Sequence, residues 1–159
     1  MIVLFAVLVY AISMTVANFS VATFGPAVSP INSLVLIGLD LALRDWLQVR
    51  LKLWQMGVLI GVSGWLTYLL NPSAGHIAAA SAAAFTAAAL VDWAAFTKLR
   101  GSRRFRSNGS NIAGAVVDSI VFPYMAFGGF LPHIIALQFA AKVLGGWLWS
   151  TVIFRGEKK

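Results

Sequence analysis

The chain has 159 residues, of which 60% are hydrophobic and only 11% are charged, and its mean hydropathy is +0.85. A soluble domain carries about 25% charged residues, so this composition excludes a soluble globule. It predicts an all-α, polytopic membrane protein, with length for about six spans of ~20 residues and no room for a separate soluble domain. The chain contains no cysteine, which excludes a disulfide framework and a thiolate metal or redox site.

Six helices follow from the apolar runs and from the Gly, Pro and Asn residues that separate them. The first run has no Lys or Arg before it and exceeds a typical signal segment, so we expect a retained first span. Gly25-Pro26, Asn71-Pro72 and Gly128-Gly129 mark three turns on one side. The expected helices cover 2–22, 31–48, 53–70, 76–99, 109–130 and 133–154.

Small residues predict where helices approach one another closely. Gly57 and Gly61 form a GxxxG spacing in the third helix, which favours close helix contact and leaves a homo-oligomer open. The fourth helix is rich in alanine, which favours a place in the middle of the bundle.

The cations predict the orientation. Eleven of the 12 Lys and Arg residues lie around the second turn, the fourth turn and the C-terminal tail, which share one side of a six-helix chain. The positive-inside rule then places both termini in the cytoplasm. The net charge of +7 therefore reflects topology. The Arg103, Arg104 and Arg106 cluster is expected to touch anionic lipid, and so short a loop offers no element for reading nucleic acid.

Acidic residues at membrane depth are the main functional signal, because they normally face a protein interior or an aqueous cavity. Asp92 and Asp118 lie inside apolar helices, and Asp118 and Lys142 lie at similar depth on consecutive helices, so each can offset the other's desolvation. Asp40 and Arg44 are spaced four residues apart and can pair. The alternative interpretations are structural clips within the bundle, a solvated Asp40–Arg44 pair, and a Lys142 side chain that snorkels.

The sequence shows no pattern for catalysis, a metal or a cofactor. Nucleophile motifs, phosphate loops and zinc motifs are absent. His76 and His133 stand at separate turns without an acid beside them, and a metal site needs more converging ligands. Intramembrane charges without a nucleophile and base indicate recognition of a polar small molecule.

The pattern of these residues resembles the VUT family, the queuosine precursor transporters. One element is Ser81-x-x-x-Phe85 followed by Asp92, and another is Val117-Asp118-Ser119-x-x-Phe122. The other matching positions are Ala17, Asn18, Asp40, Arg104, Ser107, Ala126, Phe127, Gly128 and Lys142.

The resemblance implies one transporter domain over 1–159, in the inner membrane, that imports 7-cyano-7-deazaguanine or 7-aminomethyl-7-deazaguanine. The chain departs from the family at Arg44 and Ala89, where members usually carry Glu, and it lacks a lysine soon after Asn18. The expected substrate-binding residues are Asn18, Asp40, Arg44, Ser81, Phe85, Asp92, Asp118, Ser119, Phe122, Phe127 and Lys142.

A deazaguanine presents a row of N–H donors beside a carbonyl acceptor. A carboxylate, from Asp118 or Asp92, can accept two N–H groups at once. Asn18 and Ser119 can donate or accept hydrogen bonds. Phe85, Phe122 and Phe127 can stack on the flat ring, although core packing is the commoner role of a buried Phe.

Two other functions fit the same sequence. One is the substrate-binding subunit of an energy-coupling vitamin-type transporter, which would need ATPase partners. The other is a membrane interaction protein that transports nothing. The energy source also stays open, because Asp92 or Asp118 can carry a proton and an uncoupled facilitator would look the same.

Overall fold

The fold is known from a computed structural model that describes residues 1–70, 72–153 and 155, without the side chains of Gln48, Leu53, Gly64, Ser73, Arg103 and Arg104. The described residues form six long helices and no strand. The helices are α1 (Ile2–Phe24), α2 (26–48), α3 (Leu53–Leu70), α4 (Gly75–Lys98), α5 (Arg103–Phe127) and α6 (Pro132–Ile153).

The distribution of polar and apolar side chains is that of a helical membrane protein. Large apolar side chains such as Phe5, Leu8 and Trp65 are exposed on the outside of the bundle. Charged side chains such as Asp40 and Lys142 are buried inside it. Within the part of the chain that the structure describes, four helical segments are long and apolar enough to cross a membrane, namely Ile2–Phe24, Pro26–Leu47, Gly75–Lys98 and Phe105–Phe127. The predicted fold class is thereby confirmed.

The loop between α4 and α5 is shorter than the sequence predicted, because part of the basic segment is helical. Helix α5 begins at Arg103 and not at 109, because the Ser102 side chain accepts a hydrogen bond from the Phe105 amide and caps the helix. Arg106 donates from Nε and Nη2 to the Phe96 carbonyl, at 3.0 and 2.8 Å, and so binds the end of α4. A lipid contact by this basic cluster stays a prediction, since the side chains of Arg103 and Arg104 lie outside the described set.

Helices α2 and α6 approach each other at a pair of glycines. A Cβ on Gly145 would overlap the Leu34 carbonyl oxygen, and one on Gly38 would lie 2.6 Å from the Gly145 carbonyl carbon. Only glycine allows backbones to pack this closely. The predicted GxxxG contact is not formed among the described residues, because nothing lies within 4 Å of a Cβ on Gly57 or Gly61. This spacing therefore mediates no helix contact among the described residues, and a homo-oligomer stays a prediction.

Replacing Gly145 by Leu is expected to destabilise the protein strongly, because the new side chain overlaps the α2 backbone. Overpacking in a closely packed interior costs typically ~1–3 kcal/mol, and here rigid backbone must move. Thermal unfolding in detergent measures the loss. Gly57→Leu is the matched control and should leave the midpoint almost unchanged, since the space around Gly57 is open. Equal destabilisation by both variants would contradict this account of the α2–α6 contact.

Candidate functional site

A polar cavity lies inside the bundle, in the half nearer the turns at Gly25 and Gly128. Its empty volume, including the opening to solvent, is about 320 Å³. Its narrow interior takes about one or two water molecules. Helices α1, α2, α4, α5 and α6 supply the lining: Ala17, Asn18, Val21, Ser29, Asn32, Ser33, Ile37, Ser81, Phe85, Asp118, Phe122, Gln138 and Lys142.

Asp118 and Lys142 form a buried ion pair at one wall of this cavity. Lys142 Nζ lies 2.6 Å from Asp118 Oδ2, and the two side chains are 1% and 7% exposed. The ammonium group also donates to Gln138 Oε1 at 2.8 Å and to Ser119 Oγ at 3.2 Å. All three donors of the ammonium are therefore used within the protein. The predicted Asp118–Lys142 contact is confirmed, and it leaves Asp118 with further acceptor positions at the cavity.

Three polar groups of the cavity lining have no hydrogen-bond partner among the described residues. They are Asn18 Nδ2, Ser29 Oγ and Gln138 Nε2, and each is buried. A buried donor without a partner is costly, so these groups favour a bound molecule that offers acceptors. Together with the Asp118 carboxylate they place hydrogen-bond donors and acceptors around one space.

Two irregular turns border the cavity. Ser33–Ile37 of α2 is a π-helical turn, a feature frequent at functional sites, and both of its end residues line the cavity. Pro123 lies inside α5, where a proline cannot donate to the carbonyl four residues earlier. That carbonyl belongs to Ser119, beside Asp118. Both turns therefore alter regular helix geometry where polar side chains meet.

Aromatic rings cover part of the cavity. Phe85 and Phe122 belong to its lining. Phe127 does not, and it meets Phe122 edge-on with ring centroids 5.8 Å apart. Phe127 packs in a small apolar cluster with Val21 and Ile77. Two of the three aromatic residues expected at the site are therefore placed to contact a ligand.

A second polar region, the buried charge cluster, comprises Arg44, Asp45, Asp92, Ser107 and Asn111. It lies in the other half of the bundle. Arg44 Nη2 is 3.5 Å from Asp92 Oδ2, and both side chains are almost fully buried. Asp45 Oδ2 accepts hydrogen bonds from Ser107 Oγ and, at 2.9 Å, from Asn111 Nδ2.

Gly114 of α5 lies against this cluster, at ordinary van der Waals distance. A Cβ at that position would lie 3.4 Å from Asp92 Cβ and 3.5 Å from Arg44 Nη2. The cluster ties α2, α4 and α5 together, and none of its members lines the cavity.

The structure divides the predicted site residues into two groups. The residues that line the cavity are Asn18, Ser81, Phe85, Asp118, Phe122 and Lys142, and Ser119 contacts the Lys142 ammonium beside it. The residues outside the lining are Asp40, Arg44, Asp92 and Phe127.

The expected Asp40–Arg44 pair is wrong. Asp40 accepts a hydrogen bond from Ser13 Oγ of α1, whereas the ion-pair partner of Arg44 is Asp92 of α4. The spacing of four residues put both side chains on one face of the helix, but each of them reaches a different neighbouring helix.

Sequence reasoning missed four polar residues of the lining, namely Ser29, Asn32, Ser33 and Gln138. The first three lie at or next to a segment interpreted as a turn, and the structure makes the whole of 26–48 helical. Gln138 lies four residues before Lys142, on the same helix face, and this spacing was the available signal.

No group of three or more His, Asp or Glu side chains converges on a metal position within 1–70, 72–153 and 155. The ring of His76 instead lies near α5, with Nε2 3.2 Å from the Ala126 carbonyl oxygen.

The comparison with known protein families bears on the class of this site. Residues 1–154 match the family described as "Putative vitamin uptake transporter". The chain belongs to this family. The resemblance to the VUT family is thus confirmed over nearly the whole chain, and the VUT protein is a membrane transporter with a small-molecule substrate. No curated protein and no solved structure shows significant similarity to it.

Proposed function

We propose that this VUT protein imports a queuosine precursor, 7-cyano-7-deazaguanine or its aminomethyl analogue, across the inner membrane with both termini in the cytoplasm. The proposal rests on one observation: a hydrogen-bond acceptor and hydrogen-bond donors without partners surround the same cavity. Asp118 supplies the acceptor, and Asn18 and Gln138 supply the donors. The family match supports uptake of a small molecule and leaves its identity open.

The hydrogen-bonding edge of a deazaguanine fits these groups. Its ring N–H and 2-amino group can both donate to Asp118, which Lys142 holds in place at 2.6 Å. Its carbonyl can accept from Gln138 Nε2 or Asn18 Nδ2, the donors that lack partners. Phe85 and Phe122 offer flat apolar faces to the ring. Asp118 is therefore the binding carboxylate, and Asp92 lies outside the cavity.

The position of the cavity supports import from the outer side. The cavity lies toward the turns at Gly25 and Gly128, which the positive-inside rule places outside. Its interior is too narrow for a bicyclic ring, so binding requires the lining helices to separate. The buried charge cluster fills the other half of the bundle, between the cavity and the cytoplasm. Alternating opening of the two halves would move a substrate across.

Uptake by the purified protein in liposomes tests the proposal. Labelled 7-cyano-7-deazaguanine should enter vesicles that contain the protein and should not enter empty vesicles. A panel of vitamins serves as competitor, because the family description is broader than deazaguanines. Competition by a vitamin, with no uptake of the deazaguanine, would reject this substrate. Uptake without any partner protein would also exclude a subunit that depends on ATPases.

Replacing Gln138 by Leu is expected to weaken binding of the deazaguanine. The change removes the unpartnered Nε2 donor, and loss of one such hydrogen bond costs roughly 1–3 kcal/mol, or about 5- to 150-fold in Kd. Isothermal titration in detergent measures the change. The substitution also removes the Oε1 acceptor of the Lys142 ammonium, so a modest loss of stability accompanies it, and the unfolding midpoint is measured beside the affinity.

Gln55→Leu is the matched control for this prediction, because Gln55 lies outside the cavity and its Oε1 accepts from the Lys52 amide. An unchanged Kd for Gln138→Leu would remove Gln138 from the proposed site.

A further inference from the structure

The buried charges of the bundle do not balance. Among the residues whose side chains the structure describes, four acids and two bases are buried: Asp40, Asp45, Asp92, Asp118, Arg44 and Lys142. Lys142 pairs with Asp118, and Arg44 pairs with Asp92. Asp40 and Asp45 therefore remain without a cation of their own.

The two remaining acids differ in their surroundings. Asp45 Oδ2 accepts hydrogen bonds from Ser107 and Asn111, which stabilise its ionised form. Asp40 accepts one hydrogen bond, from Ser13, and its Oδ2 has no partner although the residue is 0% exposed. An ionised carboxylate in such a place is expensive.

Within the described residues, Asp40 and Asp45 do not belong to a cluster of acidic and histidine side chains that could hold a metal ion. A proton, in contrast, can neutralise a single carboxylate without further ligands. Asp40 Oδ2 and Asp45 Oδ1 are both without a hydrogen-bond partner among the described residues. The other oxygen of Asp45 accepts two hydrogen bonds and that of Asp40 only one, so Asp40 is the stronger candidate to hold the proton.

Asp40 lies between the two polar regions of the bundle. Ile37, one turn before it on α2, lines the cavity, whereas Arg44, one turn after it, belongs to the buried charge cluster. The Tyr10 hydroxyl is a second buried polar group near Asp40 whose hydrogen bonding is incomplete. It is fully buried without a hydrogen-bond partner, and it interacts electrostatically with Asp40, Arg44 and Asp118.

We propose that Asp40 is the proton-binding group of transport, separate from the residues that bind the substrate. This inference rests on the proposed function. One proton enters from the outer solution through the cavity and binds Asp40 Oδ2. It leaves to the cytoplasm when the half that contains the buried charge cluster opens. A neutral deazaguanine and one proton then cross together, so each cycle moves one positive charge.

The groups that set this equilibrium come from the helices around Asp40. Helix α3 offers only Tyr68, which lies at the far end beside Gly75. Tyr10 of α1 and Arg44 of α2 interact electrostatically with Asp40. The other buried charged side chains on the described parts of the helices are Asp45 of α2, Asp92 of α4, Asp118 of α5 and Lys142 of α6.

Gradient-driven uptake in liposomes tests the coupling. With an acidic outer solution, the wild type should concentrate labelled 7-cyano-7-deazaguanine, and a protonophore should abolish the accumulation. Asp40→Asn keeps the shape of the side chain but cannot release a proton. It should lose accumulation at least tenfold and retain exchange of labelled for unlabelled substrate. Asp45→Asn, the same change on the same helix, is the matched control and should keep both.

Several results would overturn the proposal. They are accumulation of substrate by Asp40→Asn at the level of the wild type, loss of coupling in Asp45→Asn, and uptake driven by a sodium gradient at equal pH. Failure of the wild type to bind or exchange any deazaguanine would instead reject the proposed function.

Infrared spectroscopy of the substrate-free protein in lipid decides the proton site on its own. A protonated carboxyl band should be present in the wild type and in Asp45→Asn and absent in Asp40→Asn. If Asp40→Asn does not fold, Ser13→Ala takes its place. Loss of the Ser13 hydrogen bond should move the band to higher frequency, and an unmoved band, or no band in the wild type, would refute proton binding at Asp40.

Discussion

Replacing Asp118 by Asn is expected to abolish uptake of the deazaguanine. The amide has nearly the shape of the carboxylate but presents only one acceptor oxygen, so it cannot accept both N–H groups of the ring edge. Hydrogen bonds to a charged group contribute roughly 1.5–3 kcal/mol each, and loss of even one weakens binding by about 10- to 100-fold. Uptake of labelled 7-cyano-7-deazaguanine into liposomes measures the effect.

The same variant also leaves Lys142 as a buried charge without its partner. Breaking a buried pair by removing one member destabilises a protein by about 3–5 kcal/mol, whereas replacing both members by uncharged groups is often neutral. The double variant Asp118→Asn, Lys142→Met therefore separates folding from binding. We expect it to regain the unfolding midpoint of the wild type without regaining uptake.

Normal uptake by that double variant would show that the Asp118–Lys142 pair is only a structural clip. This was one of the two interpretations that the sequence left open. The geometry favours the binding role, because Asp118 belongs to the cavity lining and retains acceptor positions beyond its contact with Lys142.

Depth along a helix could be predicted from the sequence, and rotation about its axis could not. Asp118 and Lys142 lie near the middle of α5 and α6 in an antiparallel pair, so their contact follows from counting residues. Arg44 and Asp92 lie on α2 and α4, which are not consecutive. Their contact depends on which face each helix turns inward, and apolar composition on every face of a span hides that information.

The polar lining of the cavity was hidden by a different cause. Pro26 and Pro30 predict a break, yet proline fits the first turn of a helix, where its missing N–H is not needed. Helix α2 therefore begins earlier than expected and brings Ser29, Asn32 and Ser33 to the cavity. The close contact of Gly38 with Gly145 was equally hidden, since two isolated glycines on separate helices carry no spacing signal.

The departures from the family pattern acquire a physical explanation at the buried charge cluster. The chain carries Arg44 and Ala89 at positions where the resemblance implies Glu. Arg44 lies 3.5 Å from Asp92, so the arginine neutralises an acid that is retained. A glutamate at position 44 would instead raise the negative charge of a region that already holds Asp45 and Asp92. Both departures therefore remove negative charge relative to the family pattern.

Replacing Arg44 by Met is expected to destabilise the protein more than any single change outside the buried pairs. Methionine fills similar volume but leaves Asp92 buried without a cation and removes the positive charge nearest to Asp45. The loss of an ion-pair partner costs about 3–5 kcal/mol. Unfolding of the purified protein in detergent, followed by circular dichroism against denaturant, measures this loss.

The double variant Arg44→Met, Asp92→Asn should recover most of that stability, because it removes the unpaired carboxylate together with the cation. Arg50→Met is the control: its side chain is exposed and stacks on Trp46, so its loss should cost far less. If Arg44→Met were as stable as Arg50→Met, Asp92 would have to be neutral in the folded protein. More than one of the buried carboxyl groups would then be protonated in the folded protein.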